Sequence, residues 1–128
     1  MYSQKIINRF LNPYNAGGLR GANVTGKAGE AEYGDCIKIY LNVDEDNVIQ
    51  TAKFKAFGSP VTIAVCDCLC DIVVNLNLDE ALEVSVNDLI NVIDVPEEKL
   101  SVLSLAIEAL RTGIETYLKK IEKQLKNS

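Results

Sequence analysis

The chain has 128 residues, 48% hydrophobic and 24% charged, with a formal net charge of −5. That is enough for one domain with a real core, and its acidity argues against binding to a phosphate backbone, which needs a basic face. The absence of histidine removes Ser-His and Cys-His nucleophile pairs and mixed Cys/His metal sites, so any metal must be held by thiolate, carboxylate or external ligands.

Met1-Tyr2-Ser3-Gln4-Lys5 has no basic stretch followed by an apolar run, and nothing approaches a membrane-spanning length. The expectation is a cytoplasmic protein with neither a membrane nor a nucleic acid as partner, its four cysteines present as thiols or ligands rather than disulfides.

In chain order, Ile6, Ile7, Phe10 and Leu11 suit a short amphipathic helix over residues 2–11. Asn12 to Gly18 reads as a loop, and one edge strand is expected around Ala22–Ala28. From Asp35 the period becomes two. Ile37, Ile39, Leu41 and Val43 share one face; Cys36, Lys38, Tyr40 and Asn42 share the other. Asp44-Glu45-Asp46-Asn47 reads as a solvated turn, since it lacks the spaced ligands of a calcium loop, and Val48–Phe57 reads as the returning antiparallel strand.

Ser59-Pro60 is a helix start, a hydroxyl cap before proline at the first helical position. The helix is expected over Ser59–Leu76, with Asp67, Asp71 and Asn75 in one polar sector opposite Val61, Val65, Leu69, Ile72, Val73 and Leu76. Short helices follow at Asp79-Glu80-Ala81 and Val86–Ile93. A last helix is expected from Asp94-Val95-Pro96-Glu97-Glu98, its acids at the positive pole and Lys119, Lys120, Lys123 and Lys126 at the negative one. Its apolar stripe, Leu103 to Leu125, suits core packing better than a dimer seam.

Three cysteines lie in this central helix at alternate positions. Cys66 and Cys70, i and i+4, have Cβ atoms about 5–6 Å apart and can share one metal. Cys68 lies about 160° away, so a continuous helix cannot bring all three to one ion. Three readings of the pair stay open: core filling, binding of a metal, cluster or redox partner, and sharing a cluster between subunits. Cys68 is expected to be partly exposed and inert, because no cation lies beside it in sequence. Cys36 points away from the helix and is not expected to meet Cys66.

Several segments, in order and with matching spacing, resemble the IscU/NifU-type iron–sulfur cluster assembly scaffolds. Asn12-Pro13-Tyr14-Asn15-Ala16-Gly17 is similar to the family's Asn-Pro-Arg-Asn-x-Gly. Gly26-Lys27-Ala28-Gly29 through Tyr33-Gly34-Asp35 is similar to its Gly-x-Ala-Gly…Cys-Gly-Asp. Phe54-Lys55-Ala56-Phe57-Gly58 resembles the stretch before its Cys-Gly, and Leu78-Asp79-Glu80-Ala81 its Thr-x-Asp-Glu-Ala. The family's cysteine positions fall on Tyr33, Ser59 and Val102, and its histidine on Ser101; of the ligand set only Asp35 remains. Val95-Pro96-Glu97-Glu98-Lys99 stands in place of the family's chaperone motif, so chaperone recruitment is not expected.

The resemblance implies an α+β fold of the SufE/NifU-like kind. One domain spans residues 1–128, with a small three-stranded antiparallel sheet covered on one face by helices and a long C-terminal helix. It implies work in iron–sulfur cluster assembly by binding rather than catalysis, with a cysteine desulfurase and cluster acceptor proteins as partners. The candidate metal residues are Asp35, Cys66 and Cys70. They would take an iron–sulfur cluster, iron or zinc, and the alternative is a metal-free regulatory or interaction module with no cofactor.

Overall fold

A computed structural model describes residues 2–127. Three antiparallel strands form one sheet in the order β1 (Val24–Gly29), β2 (Cys36–Val43), β3 (Ile49–Phe57). The period-two reading of β2 holds: Ile37, Ile39, Leu41 and Val43 are buried and Lys38 is exposed. The β2–β3 hairpin closes through the Asp44 carboxylate, which accepts from the backbone N–H groups of Asp46 at 2.9 Å and Val48 at 3.0 Å. Asn47 takes the left-handed conformation this turn needs.

All helices that cover the sheet lie on its buried face. Helix α2 (Pro60–Val73) packs on β3, and α5 (Leu100–Lys126) packs on β1 and β2 and against α2. Helix α1 (Gln4–Leu11) is capped by the Ser3 hydroxyl and lies on the outer side of α2, so α2 is enclosed from both sides. Two short helices, α3 (Leu78–Leu82) and α4 (Val86–Ile90), connect α2 to α5. Asn77 and Glu80 form a reciprocal capping box at the start of α3, with bonds of 2.8 and 2.9 Å.

Helix α5 crosses β1 at a contact between two glycines. A Cβ on Gly113 would stand 2.8 Å from the Gly26 nitrogen and 2.9 Å from its Cα, closer than atoms pack. Glycine at both positions lets helix and strand backbones touch.

Helix α1 and strand β1 each begin two residues later than expected, and four boundaries differ by three residues or more. Helix α2 stops at Val73, because the Asn75 N–H donates to the Ile49 carbonyl and the Leu76 carbonyl accepts from Ile49, both at 2.8 Å. The start of β3 thus claims this segment, and Asn75 leaves the polar sector. Helix α4 ends at Ile90, with Asn91 as its C-cap, rather than at Ile93. Before α5, Glu97–Lys99 forms a 3₁₀ turn after the extended Pro96, so the acids precede the helix instead of opening it. The buried stripe of α5 ends at Ile114, and Leu125 is 71% exposed. The physical reason is length: 27 helical residues span about 40 Å, whereas the six-residue β1 spans about 20 Å.

No helix among the described residues is long and apolar enough to cross a membrane.

Candidate functional site

Pairing of Cys36 with Phe57 brings the residue before β2 beside the residue after β3. Asp35 and Gly58 therefore meet at one end of the sheet. Gly58 has φ +157°, and a Cβ there would collide with Asp35 Oδ1 and Thr62 Oγ1. Thr62, fully buried in the first turn of α2, donates its hydroxyl proton to Asp35 Oδ1 and accepts from the Ser59 N–H at 3.2 Å. Ser59 is the N-cap of α2, as its sequence context predicts. The one carboxylate of the family pattern is thus tied to the helix start.

The other family positions hold no thiolate. Tyr33 sits on a 3₁₀ turn (Ala31–Tyr33) with 85% of its surface exposed. Val102 is 1% exposed and part of the core, while Ser101 faces solvent. The start of α5 still approaches this end of the sheet: a Cβ on Gly29 would run into both the Asp35 carbonyl and, at 3.1 Å, Leu105. The segments of the family site converge, but phenol, hydroxyl and isopropyl groups do not fit a cluster that needs several thiolates.

Deeper along α2 lie Cys66 and, one turn further, Cys70, both fully buried. Burial pushes the Cys66 thiol far up from its ordinary value, and the charges of Asp35 and Asp67 add to it. Burial also raises Cys70 well above the ordinary thiol value, with Cys66, Asp67 and Asp71 contributing and Lys53 opposing. Both are neutral thiols at pH 7. Asp35 is near enough to Cys66 to act on it electrostatically, but no three cysteine, aspartate or glutamate side chains among the described residues gather into a metal-holding group.

Cys68 departs from expectation. It is 2% exposed, not partly open, because α1 covers the sector it occupies. Burial raises its thiol, partly offset by the positive charges of Arg9 and Lys5 on α1. Those cations are remote in sequence, so the local argument for an inert thiol missed them. Cys36 is half-buried on the opposite face of the sheet from α2, and does not meet Cys66.

The same cover reveals a network that periodicity only hinted at. Asp67 is 0% exposed. It accepts from Arg9 Nη1 at 2.9 Å and from the Asn15 N–H at 2.8 Å. Arg9 also reaches Asp71 at 2.7 Å, and the Asn15 amide donates to Asp71 at 2.9 Å and to the Asp67 carbonyl at 3.0 Å. Burial works against the Asp71 charge, but Asn15 and Arg9 outweigh it and hold the carboxyl below its ordinary value. The polar sector of α2 is therefore a dock for α1 and for Asn15 of the Asn-Pro motif. The signal was present in the sequence as aspartates at i and i+4, but their cationic partner lies 58 and 62 residues away.

The model of the NifU-like N terminal domain family matches residues 1–124. The chain is 33% identical over 121 residues to the iron–sulfur cluster assembly scaffold protein IscU of Aquifex aeolicus, covering 93% of this chain and 77% of that protein. It is 36% identical over 118 residues to the nitrogen fixation protein NifU of Azotobacter chroococcum, covering 91% of this chain but only 38% of that longer protein. A crystal structure of a putative iron–sulfur cluster assembly scaffold protein for the SUF system from Fervidobacterium islandicum shares the fold. Its TM-score is 0.72 at 20% identity, over 88% of this chain and 96% of that one. With its three-stranded antiparallel sheet and long C-terminal helix, this chain belongs to the NifU-like N-terminal domain family.

Proposed function

We propose that this protein works in iron–sulfur cluster assembly as a scaffold-type protein that binds rather than catalyses. The observation that carries the reading is family membership over residues 1–124, which includes relatives named as cluster assembly scaffolds. Those names favour it over a metal-free interaction module. Scaffold action needs no acid–base residue, which agrees with a chain that has no histidine. The partners that follow from this reading are a cysteine desulfurase and cluster acceptor proteins, met in the cytoplasm.

The cluster is cargo on this reading. Because Tyr33, Ser59 and Val102 offer no thiolate, the proposed donors for a cluster, iron or zinc are Cys66 and Cys70, with Asp35 on the Cys66 side. Metal uptake there must remove protons from two buried thiols and release Asp35 from Thr62. The site is expected to load more slowly at low pH, since ligation expels those protons.

Anaerobic purification and reconstitution with iron and sulfide test this. Bound iron and sulfide with thiolate-to-iron absorption, lost together in Cys66→Ser with Cys70→Ser, is the expected result. Unchanged metal content in that double variant would move the site elsewhere. No metal in any preparation, together with no affinity for a cysteine desulfurase, would overturn the scaffold reading.

A further inference from the structure

The face of the sheet turned away from the helices carries an unusual row. Strand pairing sets Lys27 directly opposite Lys38, and Lys38 directly opposite Lys55. All three side chains are exposed on the open face. Lys53 stands in the next row of that face, opposite Tyr40, which is itself opposite Thr25. Gly29, Cys36 and Phe57 form the row on the other side, and Asn42 pairs with Thr51 beyond. The face therefore holds four lysines, two aromatic rings and no carboxylate.

This is the reverse of the rest of the molecule. The chain has thirteen basic and eighteen acidic residues. Setting aside these four lysines leaves nine basic residues against the same eighteen acids. A local positive field on an otherwise negative protein is a directional feature.

The row is also unfavourable for the isolated fold. Like charges directly opposite across a sheet destabilise it. Among the described residues none of the three ladder lysines has an ion-pair partner; the pairs are Arg9 with Asp67 and Asp71, and Lys126 with Glu122. Lysine on an edge strand protects against edge-to-edge aggregation, but Lys38 lies on β2, the central strand, where there is no edge to protect. Three aligned, unneutralised lysines leave a local positive field that a negatively charged surface would neutralise.

We propose that this open face is a docking surface for an acidic protein surface, with Lys27, Lys38 and Lys55 as its centre and Tyr40 and Phe57 as flanking apolar contacts. An acidic protein is favoured over a nucleic acid because the remaining surface is strongly negative and repels a long polyanion that reaches beyond the sheet. The proposal is independent of where, or whether, metal binds.

The test uses a short fluorescein-labelled oligo-glutamate peptide as probe, titrated with the full chain and read by fluorescence anisotropy. Binding is expected at low salt and is expected to weaken by roughly tenfold as salt rises to physiological strength. Lys38→Thr with Lys55→Thr should weaken it at least about fivefold, while Lys38→Arg with Lys55→Arg retains it. The threonine variant should unfold at the same or higher urea concentration, which separates lost binding from lost fold. Lys119→Thr with Lys123→Thr removes equal charge from α5 and should leave binding unchanged. Four outcomes overturn the proposal: no binding at low salt, equal loss in the α5 control, tighter binding of an oligonucleotide of matched charge, and self-association that the ladder substitutions abolish.

Discussion

Arg9→Met is the perturbation that most directly questions how the N-terminal helix is held. Asp67 is wholly buried and its ion pair with Arg9 spans 2.9 Å. Removing the guanidinium leaves that carboxylate with the Asn15 backbone N–H, at 2.8 Å, as its remaining partner. Breaking a buried pair from one side costs about 3–5 kcal/mol. The Arg9 side chain is 32% exposed, so water reaches part of it, and the expected loss falls to about 2–3 kcal/mol. That is a large share of the roughly 5–15 kcal/mol that holds a domain of this size. Urea unfolding followed by circular dichroism at pH 7 measures it. Adding Asp67→Asn should recover part of the loss, because asparagine keeps an acceptor for Asn15 without a stranded charge. Loosening α1 should also speed labelling of Cys68 by a thiol reagent. A loss below about 0.5 kcal/mol, with unchanged labelling, would refute the claim that this pair docks α1.

Other outcomes are equally specific. Cys66, Cys68 and Cys70 all keep their protons above the ordinary thiol value of 9.0 when folded. The unfolded chain releases protons from about pH 9, so stability is complete below that value and is lost as pH rises through the raised folded values, by up to about 1.4 kcal/mol per thiol per pH unit. Cys66→Ala with Cys70→Ala should flatten that alkaline slope, and an unchanged slope would contradict it. For Asp71, whose folded value is lowered, the sign is opposite: its contribution is present above the ordinary carboxylate range and fades in acid. Gly113→Ala should lower the urea midpoint by an amount equivalent to about 1–3 kcal/mol, since its Cβ meets the Gly26 backbone at 2.8–2.9 Å; a neutral result would mean the helix can lift off β1. Thr62→Val removes the donor to Asp35 and the acceptor for the Ser59 N–H, with an expected cost of about 1–2 kcal/mol. Wild-type stability would show that neither bond matters to the fold.

The strands and the start of α2 were legible because local chemistry sets them, whereas the start of α5 was not. Alternating Ile37, Ile39, Leu41 and Val43 define β2, and Ser59-Pro60 starts α2. The motif order also pointed to the scaffold family, and the substitution of Tyr33, Ser59 and Val102 for its cysteines is plain in the sequence. What local pattern cannot carry is which group from elsewhere arrives at a given face. Asn75 looked helical until β3 took its backbone, and Cys68 looked open until α1 covered it.

The sequence by itself determined the element types, their order, the family and the placement of Cys66 and Cys70 on one side of α2. The tertiary structure alone decided that Asp67 is buried against Arg9, that Asp35 is bound to Thr62, and that three separate lysines stand in one row. The physical reason is range. Helix and strand periods are written in neighbouring residues, whereas burial, charge pairing and strand register depend on segments that meet only when the chain closes on itself.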